Sequence, residues 1–108
     1  MQDDRRNAPR VKVDITARWE GVLTQEQAQI SSLSVSGCFL LSGGKVEPKE
    51  LVRLEILLPG QEPIYLWAEV VDAAYEIGFA VRFTATEDED QKRLSAFVET
   101  ELRKEKSS

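Results

Sequence analysis

Within the first ten residues, DDRRNAPR places Arg5, Arg6 and Arg10 behind Asp3 and Asp4. Each guanidinium is a flat, permanently charged fork with five N–H donors. The fork fits two phosphate oxygens, or the O6 and N7 acceptors on one edge of guanine, and its plane stacks on a base. A ligand carrying both phosphates and guanines would use all three abilities. The same charge run also reads as a solvated basic arm, or as ion pairs to Asp3 and Asp4.

A second cluster is SLSVSG, Ser32–Gly37. Closely spaced hydroxyls and a glycine make a tight bend whose N–H and O–H groups can face a ligand. They equally make an ordinary hairpin turn. Other features have plainer readings. The acidic run EDED can hold a hard cation or open a helix. Trp19 and Trp67 can stack a ligand, but both fit strand patterns in which core or half-buried packing is expected. Cys38 reads as a small hydrophobe. With no histidine and one cysteine, the chain lacks an internal disulfide, the usual zinc ligand sets and any Ser–His or Cys–His nucleophile pair. No metal site and no enzymatic activity are expected.

The elements that position these residues follow from hydrophobic period. Residues 1–10 contain Pro9 and no such period, and read as a mobile arm. From Val11 the pattern alternates strictly through Val13, Ile15, Ala17 and Trp19, as a half-buried strand does. Further strands are expected within Gln25–Leu33, Cys38–Leu41, Leu51–Leu58, Ile64–Ala73 and Gly78–Phe83, with turns at Glu20–Gly21, Ser42–Gly44 and Pro59–Pro63. The period then changes. Thr86 with Glu89 matches a capping box, and Leu94, Phe97, Val98 and Leu102 share one helical face. Six short strands and a C-terminal helix favour an antiparallel sandwich or barrel.

The 108 residues suffice for one core, and 42% hydrophobic with 31% charged residues is ordinary globular composition. No apolar run approaches the ~18 residues of a membrane span. No secretory leader pattern opens the chain, and the lone thiol agrees with a reducing cytoplasm. Residues 1–18 carry five basic and three acidic side chains, a balance of +2, so the net −5 leaves −7 on the remainder. That acidic body argues against DNA or RNA as a partner, since such binding neutralises many phosphates.

Taken in order, the two clusters resemble the PilZ domain family. That family carries R-x-x-x-R on an N-terminal arm and [D/N]-x-S-x-x-G some 20–30 residues later on a barrel. Arg6 and Arg10 match the first motif; Ser34 and Gly37 match the second. EIGFAVRF, Glu76–Phe83, is similar to the family's GVRF ending, and a helix follows. The resemblance spans roughly Asp4 to Lys104. It implies a six-stranded antiparallel PilZ-like β-barrel with one C-terminal α-helix (about 86–105) and a flexible N-terminal arm. The expected division is an arm over 1–10 and a single barrel domain over 11–106.

The resemblance also implies a ligand, the bacterial second messenger cyclic di-GMP. Arg6 and Arg10 would grip phosphates and guanine edges. Arg5, just before the motif, would add the stacking cation that accompanies an intercalated ligand dimer. Ser34 would bond a guanine edge or hold the loop, and Gly37 would permit the close bend. Ser32 departs from the family pattern, standing where the motif has Asp or Asn. A carboxylate accepts from guanine N1–H and N2–H together, whereas a hydroxyl offers one oxygen, a loss of ~1–3 kcal/mol.

The expected activity is a receptor whose arm folds over the nucleotide and alters the surface offered to an effector protein. The alternative is a degenerate PilZ domain that acts through protein contacts alone. A barrel binding single-stranded nucleic acid is opposed by the acidic body.

Overall fold

The computed structural model describes residues 8–74 and 77–107. Six strands, β1 (Val11–Glu20), β2 (Gln25–Leu33), β3 (Gly37–Leu41), β4 (Leu51–Ile56), β5 (Ile64–Ala74) and β6 (Gly78–Thr86), precede one helix, α1 (Asp88–Ser107). The strands close into a barrel in the order β1-β2-β3-β6-β5-β4, every pair antiparallel. This is the expected six-stranded barrel with a C-terminal helix.

Strand parity builds the interior. Ile15, Ala17 and Trp19 of β1 point inward, as do Val52, Leu54 and Ile56 of β4 and Ile64, Leu66, Ala68 and Val70 of β5. Trp19 packs edge-on against Phe79, with centroids 5.0 Å apart, and its indole N–H donates to Ser42 Oγ at 3.0 Å. The hydrogen bond removes the penalty of burying that donor. Parity also corrects one expectation. Trp67 takes the outward phase of β5 and is 46% exposed.

Two irregularities interrupt the pairing where β1 meets β2 and β2 meets β3. The β1–β2 register shifts between Lys12 and Ile15, and the β2–β3 register shifts between Ile30 and Ser32. Ile30 and Leu33 both face the core although three positions separate them, so the pair Ser31–Ser32 absorbs the extra residue. The alternation expected from Val11 to Trp19 holds through the β1 shift, with Val13 half-buried and packed against the core.

The helix buries Leu94 and Val98, with Phe97 and Leu102 packed beside them. The Arg93 guanidinium donates to Glu62 O at 2.6 Å and Pro63 O at 2.9 Å, and to Asp90 at 3.0 Å, fastening the helix to the loop between β4 and β5. Near the other end, Glu105 Oε2 accepts the Lys12 N–H at 3.0 Å. The expected capping box is not formed. Thr86 pairs with Leu66 as the last residue of β6, and the first helical bond runs from Gln91 N–H to Glu87 O at 2.8 Å. Sheet pairing has taken the hydroxyl residue that the sequence offered as a cap.

Candidate functional site

Arg10 immediately precedes β1. Because Val11 pairs with Leu33 and Lys12 with Ser32, the root of the arm is carried beside the end of β2. There the Arg10 guanidinium donates from Nη1 to Ser32 Oγ at 3.3 Å, across 22 positions of sequence. Arg10 is exposed and Ser32 half-buried, so a fork and a hydroxyl stand together at the surface. Arg5 and Arg6 lie outside the described residues.

The turn from β2 to β3 is organised by Ser34, which is 1% exposed. Its backbone N–H donates to Gly37 O at 2.9 Å. Its Oγ accepts from Ser36 N–H at 3.1 Å and Gly37 N–H at 3.2 Å, lies 3.1 Å from Ser36 Oγ and 3.3 Å from Gly37 O. Of the two roles that the family resemblance implied for Ser34, these contacts serve the second, holding the loop. Ser36 O accepts from Phe83 N–H at 2.8 Å and ties the turn to β6.

Gly37 departs from expectation in its reason. It opens β3 opposite Arg82, and its φ is not in the left-handed region, which among glycines only Gly60 occupies. A Cβ at Gly37 would overlap the Val81 carbonyl oxygen. The residue is needed for close approach of β3 to β6, not for a bend.

Charge around the turn is arranged by pairing. Arg82 forms an ion pair with Glu69 on the outer face of β5 and β6. Sequence reasoning did not single out Arg82. Its outward phase inside an otherwise apolar strand is the available signal. Cys38 pairs with Leu33 and Val81 and is fully buried. Burial pushes its thiol up to about 12, partly opposed by the positive charge of Arg10. It therefore stays protonated, as inert buried thiols do. Among the described residues no group of three or more His, Cys, Asp or Glu side chains is placed to hold a metal ion. No described helix is long and apolar enough to cross a membrane.

The arrangement offers an anion or base edge an exposed guanidinium, an adjoining hydroxyl and a rigid turn. Groups of this kind can hold an anion through charge-assisted hydrogen bonds.

The model of the PilZ domain matches residues 4–100. No curated protein sequence matches the chain. Among solved structures, the Bacillus subtilis inhibitor of motility MotI/DgrA superposes with a TM-score of 0.79 at 18% identity. That similarity covers 100% of this chain and 54% of MotI/DgrA, so the chain spans about half of that protein. The PilZ domain of YcgR from Escherichia coli, solved with c-di-GMP, gives 0.75 at 11% identity over 95% of each chain. The K. pneumoniae protein MrkH gives 0.75 at 16% identity, covering 99% of this chain and 52% of that one.

Proposed function

The chain belongs to the PilZ domain family, and from that membership we propose that it is a receptor for cyclic di-GMP, acting by binding rather than catalysis. Arg6 and Arg10 grip phosphate and guanine edges, and Arg5 adds a stacking plane. Ser32 accepts from a guanine edge, while Ser34 and Gly37 hold the turn that presents it. The arm, residues 1–10, closes over the nucleotide on the barrel, residues 11–106. Its ordering changes the surface seen by an effector protein in the cytoplasm.

One observation carries this reading. The Arg10 fork rests on the Ser32 hydroxyl at 3.3 Å, so the two motifs meet at one point of the surface. The YcgR domain solved with c-di-GMP, similar over 95% of its length, supports the choice of ligand. Isothermal titration of the purified chain with cyclic di-GMP tests it. Saturable heat that disappears in Arg6→Ala and Arg10→Ala is expected; no heat at ligand concentrations up to ~1 mM, weaker than about −4 kcal/mol of binding, would sink it.

The second reading, a PilZ domain that has lost the nucleotide and works through protein contacts, is favoured by one residue. Ser32 offers a single acceptor oxygen where the motif has Asp or Asn.

A further inference from the structure

On the outer wall of the barrel, β1, β4, β5 and the end of β6 enclose a groove of about 480 Å³. Two cross-strand rows of side chains build it. In one, Glu20 lies opposite Arg53 and Arg53 opposite Trp67; in the other, Arg18 lies opposite Glu55 and Glu55 opposite Tyr65. No register shift interrupts these pairings, so the rows run side by side, about 6.7 Å apart along the strands. Across β1 and β4 the charges therefore alternate in sign both along and between the strands, and β5 adds one aromatic ring to each row.

Much of this surface is left unused within the chain. Tyr65 is 54% and Trp67 46% exposed. Glu20 and Arg53 are direct cross-strand neighbours, yet neither joins an ion pair among the described residues. Arg53 instead lies 5.8 Å over the Trp67 ring. Arg18 reaches Glu55 only at 3.9 Å, and its side chain stays 64% exposed. Trp, Tyr and Arg are the residue types that carry most binding energy at protein interfaces.

The pattern selects its occupant because it is its own complement. A closed barrel has no edge strand to extend, so a partner meets this wall face to face. A two-fold axis in the contact plane, running across the strands midway between the rows, carries each row onto the other. It lays the strands of a second copy antiparallel over those of the first, within the aligned packing that stacked sheets adopt. Glu20 then faces Arg18 of the second copy, Arg53 faces Glu55 and Trp67 faces Tyr65, and each contact is made twice. Every one of the four charges meets its opposite, and the indole and phenol close over each other. An unrelated partner would need the same order of charges and rings, whereas a second copy carries it by construction.

We propose that this wall is a self-association surface, on which a second copy of the chain docks through that two-fold axis to form a symmetric dimer. The rows lie toward the Glu20 end of β1, whereas Arg10 precedes its Val11 end, so the assignment does not depend on cyclic di-GMP.

Sedimentation velocity of the full chain without nucleotide, over a concentration series at low salt, tests it. A reversible monomer–dimer equilibrium with a dissociation constant at or below roughly 100 μM is expected. Arg53→Glu sets a carboxylate against Glu55 of the second copy, and Glu55→Arg sets a guanidinium against its Arg53. Each variant alone should dimerise about tenfold more weakly or worse, because like charges then face each other twice. An equimolar mixture of the two variants should recover most of the lost affinity, since each reversed charge meets its opposite across the axis. Trp67→Ala, at an exposed position, should also weaken the dimer by about tenfold or more, and it decides the matter if a charge variant misfolds by circular dichroism. The proposal fails if the parent stays monomeric up to about 1 mM. It fails too if Arg53→Glu or Trp67→Ala dimerises as well as the parent, since another face would then be in use. Folded charge variants that associate no better when mixed than when alone would equally overturn it.

Discussion

Arg10 and Ser32 are joined by one hydrogen bond of 3.3 Å although 22 residues separate them, and the β1–β2 pairing of Lys12 with Ser32 is what brings them together. The contact leaves most of the guanidinium fork open, because a hydroxyl satisfies one of five donors. A ligand with paired acceptors can therefore add to the pair without first dismantling it.

Ser32→Asp is expected to tighten cyclic di-GMP binding, by up to about tenfold to a hundredfold, because a carboxylate supplies the paired acceptor that one hydroxyl lacks. Calorimetry of both proteins under one salt condition measures it. Unchanged or weaker binding, in a variant with native circular dichroism, would mean that position 32 does not face guanine.

Ser34→Ala removes the acceptor of two backbone N–H groups, those of Ser36 and Gly37. Leaving buried donors unsatisfied costs about 1–3 kcal/mol. Gly37→Ala should cost at least as much, since backbone on β6 must retreat from the new methyl group. Urea unfolding midpoints check both. If Ser34→Ala keeps full stability but loses ligand, the hydroxyl serves recognition and not the loop.

The barrel was legible in the sequence because its signal is local. Alternation from Ile15 to Trp19 and the helical spacing of Leu94, Phe97 and Val98 both survive in the structure. What was not legible depends on pairing partners. Trp67 lies in a stretch where both phases are apolar, Tyr65 and Val71 on one side and Leu66 and Val70 on the other, so composition alone does not say which faces the core. Gly37 looked like a bend residue because its need for space arises from β6, more than forty residues away. Thr86 looked like a cap because β6 continues to it only by pairing with Leu66. The meeting of Arg10 with Ser32 likewise requires the β1–β2 register, which the shift between Lys12 and Ile15 re-phases.

Arg10→Lys should behave much like Arg10→Ala toward cyclic di-GMP. Lysine keeps the charge but loses both the fork and the stacking plane. A bidentate contact becomes a single mobile one, so at least ~1.4 kcal/mol, or about tenfold in affinity, should be lost in each variant. Folding stability should barely change, since Arg10 is exposed. If Arg10→Lys binds as well as the parent, the cluster acts as a charge lure and shape is irrelevant.

Cys38 makes the protein's alkaline stability testable. Burial raises its thiol from 9.0 to about 12, so folding favours the protonated form. Its contribution is fully present below the unfolded value. As pH rises from about 9 toward 12, the unfolded chain releases the proton while the folded chain retains it, and stability falls across that window. Replacing the thiol by Cys38→Val removes this dependence while keeping an apolar side chain in the core. Urea midpoints measured at pH 8, 9 and 10 should therefore fall more steeply for the parent than for the variant. The same burial predicts that iodoacetamide labels Cys38 at pH 8 only on unfolding, with protection lost in denaturing urea. Rapid labelling of the folded protein would show that the thiol is reached through an opening between β3 and its neighbours, and that β3 is the least secure strand of the barrel.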